Sequence, residues 1–149
     1  MHNAGALGKL TPVGHILPKD LDECVAVNFS AAYRLIRTCG PLLAASDGGR
    51  AVFVTSRVAR EPRAYWGAYA ATKAAMETLV RTWADETEGT SLRVNIFDPG
   101  RTATRMRATA FPGEDPRTLP APGARAAELA LLCLPSETRH GAIVRADAG

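Results

Sequence analysis

The sequence Ala51-Val52-Phe53-Val54-Thr55-Ser56 (residues 51–56) begins with four consecutive apolar residues. A strand with one solvated face would alternate apolar and polar residues, so this run indicates a strand that is buried on both faces. Such strands belong to parallel sheets that helices cover on both sides. The turn sequence Ser46-Asp47-Gly48-Gly49 precedes the run, and Ser56 marks the carboxyl end of the predicted strand.

Helices and strands alternate along the rest of the chain. A helix is predicted over about 19–44, where an apolar stripe at three- and four-residue spacing includes Leu21 and Val25. The remaining predicted elements are strands over 50–56, 92–98 and 142–146, helices over 68–88 and 124–134, and an irregular, proline-rich loop over 101–123. This order argues for one α/β domain with a parallel sheet and right-handed crossovers.

The composition is that of an ordinary globular chain. It has 149 residues, of which 46% are apolar and 22% charged, and its formal net charge is +3. No stretch approaches the roughly 20 apolar residues of a membrane helix. The polar residues His2 and Asn3 follow Met1 directly and argue against a signal peptide. We therefore expect a cytoplasmic protein with no membrane partner.

The charged and metal-binding residue types form no pattern that is typical of a nucleic-acid or metal site. Arg101, Arg105 and Arg107 cluster without interleaved aromatic residues, so nucleic-acid binding is not expected. This arginine cluster could face an acidic substrate or carrier, although a solvated surface is the commoner role for such a charge run. The three histidines lack metal-ligand spacing, and no metal site is expected.

Tyr69 and Lys73 are the first candidates for chemistry. They stand four residues apart at the start of the predicted helix over 68–88, so they share one face of it. A phenol with an ordinary pKa of about 10 is a poor base at neutral pH, and a nearby ammonium lowers that pKa. Such a pair can exchange a proton with a substrate oxygen. On their own, a tyrosine and a lysine at this spacing are more often a packed ring and a solvent-exposed charge than a catalytic pair.

Further polar residues occupy positions where a site is expected. Ser56 ends the buried strand, thirteen residues before Tyr69, and ligands of parallel sheets bind beyond the carboxyl ends of the strands. Asn28 lies in the apolar stripe of the first helix, where a buried amide needs hydrogen-bond partners. Pro99-Gly100 closes the next strand and precedes Thr102 and Thr104. Local capping or a bound water would also explain Asn28, and a simple turn would explain Pro99-Gly100.

Taken together, these residues resemble the short-chain dehydrogenase/reductase family. The matching stretches keep the family's order and spacing: His2-Asn3-Ala4-Gly5, Val27-Asn28, Val54-Thr55-Ser56, Tyr69-Ala70-Ala71-Thr72-Lys73, Asp98-Pro99-Gly100 with Thr102 and Thr104, and the closing turn Asp147-Ala148-Gly149. Within the family the chain is most similar to a YciK-like bacterial branch, through Trp66-Gly67-Ala68-Tyr69 and the residues 106–112.

The resemblance implies a truncated, Rossmann-like, doubly wound parallel sheet in three α/β/α layers, and a set of roles. Tyr69 would be the general acid/base, Lys73 would lower its pKa and bind the nicotinamide ribose, Ser56 would hold the substrate oxygen, and Asn28 would hold a water of the proton relay. The cofactor is implied to be NAD or NADP, and the substrate a small carbonyl compound or secondary alcohol. The implied cofactor-binding residues are Asn3, Ala4, Gly5, Tyr69, Lys73, Pro99, Gly100, Thr102 and Thr104.

One departure from the family is large. No glycine-rich turn that could cradle a pyrophosphate occurs in residues 1–149, nor does the residue that would choose between NAD and NADP. We therefore expect residues 1–149 to be the C-terminal, catalytic part of a single dehydrogenase domain, with strand 50–56 left open at its outer edge. Two hypotheses about function follow. The chain is either an oxidoreductase or an inactive truncated dehydrogenase that acts as a binding or assembly module. Homo-oligomers are expected through the helices over 19–44 and 68–88.

Overall fold

Three parallel strands form the centre of the molecule in this computed structural model, which describes residues 1–146. They are β1 (Arg50–Val54), β2 (Arg93–Asp98) and β3 (Ile143–Arg145), and their order in the sheet is β1-β2-β3. Phe53 pairs with Ile96, and Ile96 with Ile143. The predicted parallel α/β sheet is confirmed, with shorter strands. The predicted turn at Asp147-Ala148-Gly149 lies outside the described residues.

Five α-helices flank the sheet within residues 1–146. They are α1 (Pro18–Cys24), α2 (Ala31–Ala44), α3 (Gly67–Glu86), α4 (Arg105–Ala110) and α5 (Pro122–Leu131), with a π-helical turn at Val25–Ser30 and 3₁₀ turns at Val13–His15, Arg57–Ala59 and Pro116–Thr118. The predicted loop over 101–123 is therefore partly wrong. Its helix α4 begins where the Thr104 hydroxyl accepts a hydrogen bond from the backbone N–H of Arg107, which caps the first turn.

The π-helical turn changes which residues of the first helical segment face the core. Cys24, Asn28 and Ala32 are completely buried, whereas Leu21 and Val25 remain 41% and 37% exposed. The predicted stripe is wrong at Leu21 and Val25 because it assumes a regular α-helix. A π turn closes its hydrogen bonds one residue later than an α turn, so it shifts the following residues around the helix axis.

Apolar side chains fill the space on both faces of the sheet. On one face, α2 and α3 cover a core that includes Phe53, Met76 and Ile96. On the other face, Val52 and Phe97 pack against Leu132, which directly follows α5. Each fully buried side chain of this size stabilises the fold by roughly 1.5–3 kcal/mol. Helices on both faces give three layers, and the carboxyl ends of β1 and β2 open at the same edge of the sheet.

Gly49 allows α2 and β1 to meet closely. A Cβ atom at this position would lie 2.2 Å from the backbone carbonyl oxygen of Leu43, far inside van der Waals contact. Gly48, its neighbour in the same turn, has no atom within 4 Å of the corresponding position. A side chain at residue 49 would therefore push the end of α2 away from the sheet.

The segment around His2 pairs with the outer edge of β1. The backbone N–H of His2 donates to the carbonyl of Val52 at 2.8 Å, and the N–H of Val54 donates to the carbonyl of His2 at 2.9 Å. The expected open edge beside Val52 and Val54 is therefore partly wrong, because this parallel bridge occupies two of its backbone groups. None of the helices in residues 1–146 is both long enough and apolar enough to cross a bilayer.

Candidate active site

The carboxyl ends of β1 and β2 and the first turns of α3 surround a cavity of about 300 Å³. Most of the residues predicted for the site line it: Asn3, Gly5, Ser56, Tyr69, Lys73, Pro99, Gly100, Thr102 and Thr104. Two predicted residues do not line it. Ala4 is exposed on the segment beside the cavity, and Asn28 is buried behind the wall.

Lys73 places a buried amine in the wall of this cavity. Its side chain is only 2% exposed, and Nζ donates a hydrogen bond to the backbone carbonyl of Val54 at 2.9 Å. Burial lowers the pKa of Lys73 to about 8, and the negative charge of Glu77 opposes that shift. A protonated Lys73 therefore keeps a positive charge close to Tyr69, whose ring centroid lies 5.9 Å from Nζ.

Tyr69 packs against Trp66 and lies close to Ser56. Trp66 lies edge-on to its ring, with the ring centroids 5.8 Å apart. Burial raises the pKa of the Tyr69 phenol to about 12, while the hydrogen bond with Ser56 opposes that shift. The direction is opposite to the one that the Tyr69–Lys73 pair predicts, because loss of hydration penalises the phenolate more than the amine favours it.

Asn28 connects the segment before α1 to helix α3. Its Oδ1 accepts from the N–H of Ala6 at 2.8 Å, and its Nδ2 donates to the carbonyl of Ala6 at 2.9 Å and to Thr72 Oγ1 at 3.0 Å. These bonds hold Gly5 close to Lys73: a Cβ atom at Gly5 would lie 3.7 Å from Nζ. The sequence patterns do not identify Thr72 as a residue of the site. The available signal was its position directly before Lys73.

The carboxyl-end loops are fixed by two threonines. Thr102 Oγ1 donates to the carbonyl of Pro99 at 3.3 Å, which closes the turn after β2. Thr104 Oγ1 accepts from the N–H of Arg107, so its hydroxyl proton remains available to a ligand in the cavity. Gly100 adopts a φ of +64°, a left-handed conformation that glycine reaches without strain.

A buried ion-pair network lies behind the site, and its central residue was not predicted. The Arg60 guanidinium binds the carboxylates of Glu77 and Asp98. Thr55 Oγ1 donates to Glu77 Oε1 at 2.6 Å, and the N–H of Gly100 donates to Asp98 Oδ1 at 3.2 Å. Arg60 thus connects the loop after β1, the loop after β2 and the helix of Lys73. The available signal was Glu77, an acidic residue one helical turn after Lys73 on the same face.

Metal ligands are not gathered at this cavity or elsewhere in the described part of the chain. Within residues 1–146, no group of three or more His, Cys, Asp or Glu side chains could hold a metal ion. The functional groups at the cavity are instead an amine, a phenol and aliphatic hydroxyls. These groups bind and exchange protons with oxygen atoms of a ligand.

Comparison with known proteins agrees with this arrangement. Residues 1–115 match the model of a family described as short chain dehydrogenase. The chain is 46% identical over 122 residues to the uncharacterized oxidoreductase YciK of Escherichia coli (strain K12), a match that covers 82% of this chain and 48% of YciK. It is 35% identical over 107 residues to the NADPH-dependent aldehyde reductase-like protein, chloroplastic, of Arabidopsis thaliana, covering 71% and 40% of the two chains.

Solved structures lead to the same family. The crystal structure of YciK from E. coli superposes with a TM-score of 0.87 at 41% identity, covering 96% of this chain and 59% of that one. A short-chain dehydrogenase from E. coli CFT073, crystallised as a complex with NADPH, superposes with a TM-score of 0.88 at 41% identity, covering 97% and 60%. The chain spans about half the length of the curated relatives it matches. It belongs to the short-chain dehydrogenase family.

Proposed function

We propose that this chain carries the catalytic residues of an NAD(P)-dependent oxidoreductase that interconverts a carbonyl compound and a secondary alcohol. The observation behind the proposal is that Ser56, Tyr69 and Lys73 line one cavity at the carboxyl ends of β1 and β2. Ser56 follows the end of β1, whereas Tyr69 and Lys73 lie on α3, thirteen and more residues later in the sequence. Open α/β sheets bind their ligands at this edge.

Each of these side chains has a specific task in the proposal. The Tyr69 phenol gives a proton to, or takes it from, the substrate oxygen, and the Ser56 hydroxyl holds that oxygen in place. Lys73 supplies positive charge beside the phenol, which favours the phenolate when the alcohol is oxidised. Asn28 holds Ala6 and Thr72 at fixed distances and so positions the wall of the cavity. The water of the proton relay stays a prediction.

The cavity fits the nicotinamide end of a dinucleotide. Lys73 and Tyr69 offer an amine and a phenol to ribose hydroxyls, and Thr104 keeps a hydroxyl proton for a carboxamide. Gly5 leaves the space beside Lys73 free of a side chain. When bound, a nicotinamide donates or accepts the hydride. The NADPH complex of the E. coli CFT073 relative supports this choice of cofactor class, NAD or NADP.

We further propose that residues 1–149 correspond to the catalytic, C-terminal part of the dehydrogenase domain. The order of the site residues supports this, as does the lack of a glycine-rich turn in residues 1–149. The pyrophosphate would then be anchored by residues outside this sequence, since a glycine turn at a helix N-terminus normally binds it. The competing hypothesis is an inactive binding or assembly module.

Fluorescence titration with NADH and NADPH, followed by an assay on a panel of ketones and aldehydes, tests these proposals. The natural polypeptide that contains residues 1–149 is expected to bind one of the cofactors and to reduce at least one carbonyl compound. The isolated residues 1–149 are expected to bind cofactor weakly. Robust turnover by the isolated residues would contradict the proposed division of the domain, and absence of cofactor binding in both proteins would favour the assembly module.

The outer surfaces of α2 and α3 support the proposed homo-oligomer. Leu42 is exposed on α2, and Ala71 and Ala75 are exposed on α3, which leaves a smooth flank for another helix. Ala68 and Ala70 of the same helix are buried in the chain's own core. Sedimentation at high protein concentration tests the proposal: a single monomeric species would contradict it.

A further inference from the structure

A second, larger cavity adjoins the first at Ser56. Its volume is about 670 Å³, and it shares Ser56, Trp66, Gly100 and Arg107 with the catalytic cavity. Five arginines line it: Arg57, Arg63, Arg101, Arg107 and Arg125. A substrate whose reacting oxygen is held by Ser56 would extend its remaining atoms into one of these two spaces. The second cavity is therefore the candidate for substrate recognition.

Three of these arginines are engaged in ion pairs. Arg57 pairs with Glu61 at 2.6 Å. Arg107 holds Glu114 with two nitrogens at 2.5 and 2.7 Å. Arg125 pairs with Glu128 at 2.5 Å. Their charges are largely compensated, which reduces their attraction for an external anion.

The other two arginines carry positive charge that the chain compensates little. Within residues 1–146, Arg63 forms no ion pair, and its guanidinium faces the ring of Phe111 at 5.3 Å from the centroid. The Arg101 side chain is 70% exposed and lies 3.9 Å from Glu114, whose carboxylate Arg107 already binds. Asp98, the remaining acid of the cavity wall, is bound by Arg60.

Two aromatic rings connect Tyr69 to Arg63 through successive contacts. Trp66 and Phe111 both line the cavity, and their ring centroids are 5.7 Å apart. Trp66 also contacts Tyr69, so a flat apolar group beside Trp66 would be close to the catalytic phenol. Aromatic rings next to guanidinium groups suit a ligand with an apolar body and a negatively charged end.

We propose that the second cavity binds an anionic group of the substrate, a carboxylate or a phosphate, through Arg63 and Arg101. The substrate class is then an anionic carbonyl compound with an apolar, preferably aromatic, body between its carbonyl and its charge. Guanidinium groups bind both kinds of anion through paired N–H donors. This inference rests on the proposed function, because the reacting oxygen is taken to lie at Ser56 and Tyr69.

The test compares ligands that differ in charge but hardly in shape. Calorimetry on the natural polypeptide containing residues 1–149, with and without NADPH, measures binding of 4-acetylbenzoate, 4-acetylphenylphosphonate and the neutral 4-acetylbenzamide. An anionic ligand is expected to bind about tenfold more tightly than the amide. This ratio of affinities should be smaller in about 0.5 M NaCl, because salt screens the charges. The two anions distinguish carboxylate from phosphate recognition. Equal binding of all three ligands would overturn the proposal.

Single substitutions then assign the preference to residues. Arg63→Gln and Arg101→Gln are each expected to lower the ratio of anion to amide affinity about threefold or more. Arg105→Gln is the matched control, because Arg105 is exposed on α4 and lines neither cavity. Its ratio should equal that of the unmodified protein. An equal drop in all three variants would contradict specific binding at the cavity.

The same proteins separate this proposal from the proposed function. Reduction of 4-acetylbenzamide with NADPH, without any advantage for the anions, would refute anion recognition and leave the dehydrogenase role standing. Preferential anion binding through Arg63, without cofactor binding or turnover of any ligand, would support the anion site and refute the dehydrogenase role.

Discussion

The side-chain nitrogen of Lys73 donates a hydrogen bond to the backbone carbonyl of Val54 at 2.9 Å. This bond joins the catalytic helix to the last residue of β1 and satisfies a carbonyl on the outer edge of the sheet. The amine is otherwise removed from water, which is the cause of its lowered pKa. Burial therefore disfavours the charged form of Lys73, which is the form that the proposed mechanism uses.

The stability of the fold should depend on pH through Lys73. The folded chain lowers the pKa from 10.5 to about 8, so between these values the unfolded chain binds more protons. The free energy of unfolding should therefore rise with pH across this window, by up to about 3 kcal/mol in total. Below pH 8 the amine is charged in both the folded and the unfolded chain, so the folded chain bears the full cost of burying that charge. Urea unfolding at about pH 7.5 and about pH 9.5 measures the first part of this rise.

Lys73→Met provides the reference for that measurement, because it cannot titrate. It should be more stable than the unmodified chain at about pH 7.5, and the difference should shrink towards about pH 9.5. Staying below pH 10 avoids the titration of Tyr69, whose raised pKa acts in the opposite direction. Parallel pH profiles of the two proteins would show that the buried amine is not the titrating group.

Tyr69→Phe should lower kcat by roughly 10²- to 10⁴-fold, the usual contribution of a general acid or base. The substitution keeps the aromatic contact with Trp66 and removes only the hydroxyl. Because the phenol also offers a hydrogen bond to the ribose, the dissociation constant of the cofactor should rise, but by no more than about tenfold. Steady-state kinetics and fluorescence titration on the same preparation measure both values, and unchanged turnover would refute the role of Tyr69.

Arg60→Gln should destabilise the fold by about 3–5 kcal/mol, because it leaves Glu77 and Asp98 as buried carboxylates without their common partner. Arg57→Gln is the matched control three residues away. It breaks an exposed pair with Glu61, and its effect should stay within about 1 kcal/mol. Urea unfolding compares the two. Similar losses would mean that the Arg60 network is no more important than a surface ion pair.

Gly49→Ala should destabilise the fold by more than about 3 kcal/mol, since the new methyl group would overlap the carbonyl of Leu43. Gly48→Ala serves as the control, because open space surrounds that position. It should be neutral or slightly stabilising, through the smaller entropy of its unfolded chain. Thermal unfolding of both variants checks the contrast, and a stable Gly49→Ala protein would show that α2 can retreat from the sheet at little cost.

Much of this architecture could be predicted from local sequence patterns. The parallel sheet follows from apolar runs such as Ala51–Val54, and the catalytic helix from the spacing around Tyr69 and Lys73. The strand-end pattern drew attention to the turn before Thr102 and Thr104, but only the family resemblance implied that these residues bind a cofactor, because a proline–glycine turn with threonines is common in proteins of all kinds.

Other features depend on contacts that no local pattern contains. Arg60 is one of several arginines in the loop after β1, and only the fold brings it to Glu77 on α3 and Asp98 on β2. The short helix α4 was hidden by the prolines around it, and its capping residue Thr104 was considered only as a ligand contact. His2 pairs with β1 through backbone groups, which leave no signature in side-chain patterns.

The π-helical turn at Val25–Ser30 should determine which positions of this segment are sensitive to substitution. Across this turn the completely buried residues follow one another at intervals of four, as Cys24, Asn28 and Ala32. A regular helix would drift away from such an interval, since its turn contains 3.6 residues. Saturation mutagenesis across the turn should therefore show sensitive positions at Cys24, Asn28 and Ala32. In a homologue that lacks one residue of the turn, the sensitive positions before the turn should shift by one residue relative to those in α2.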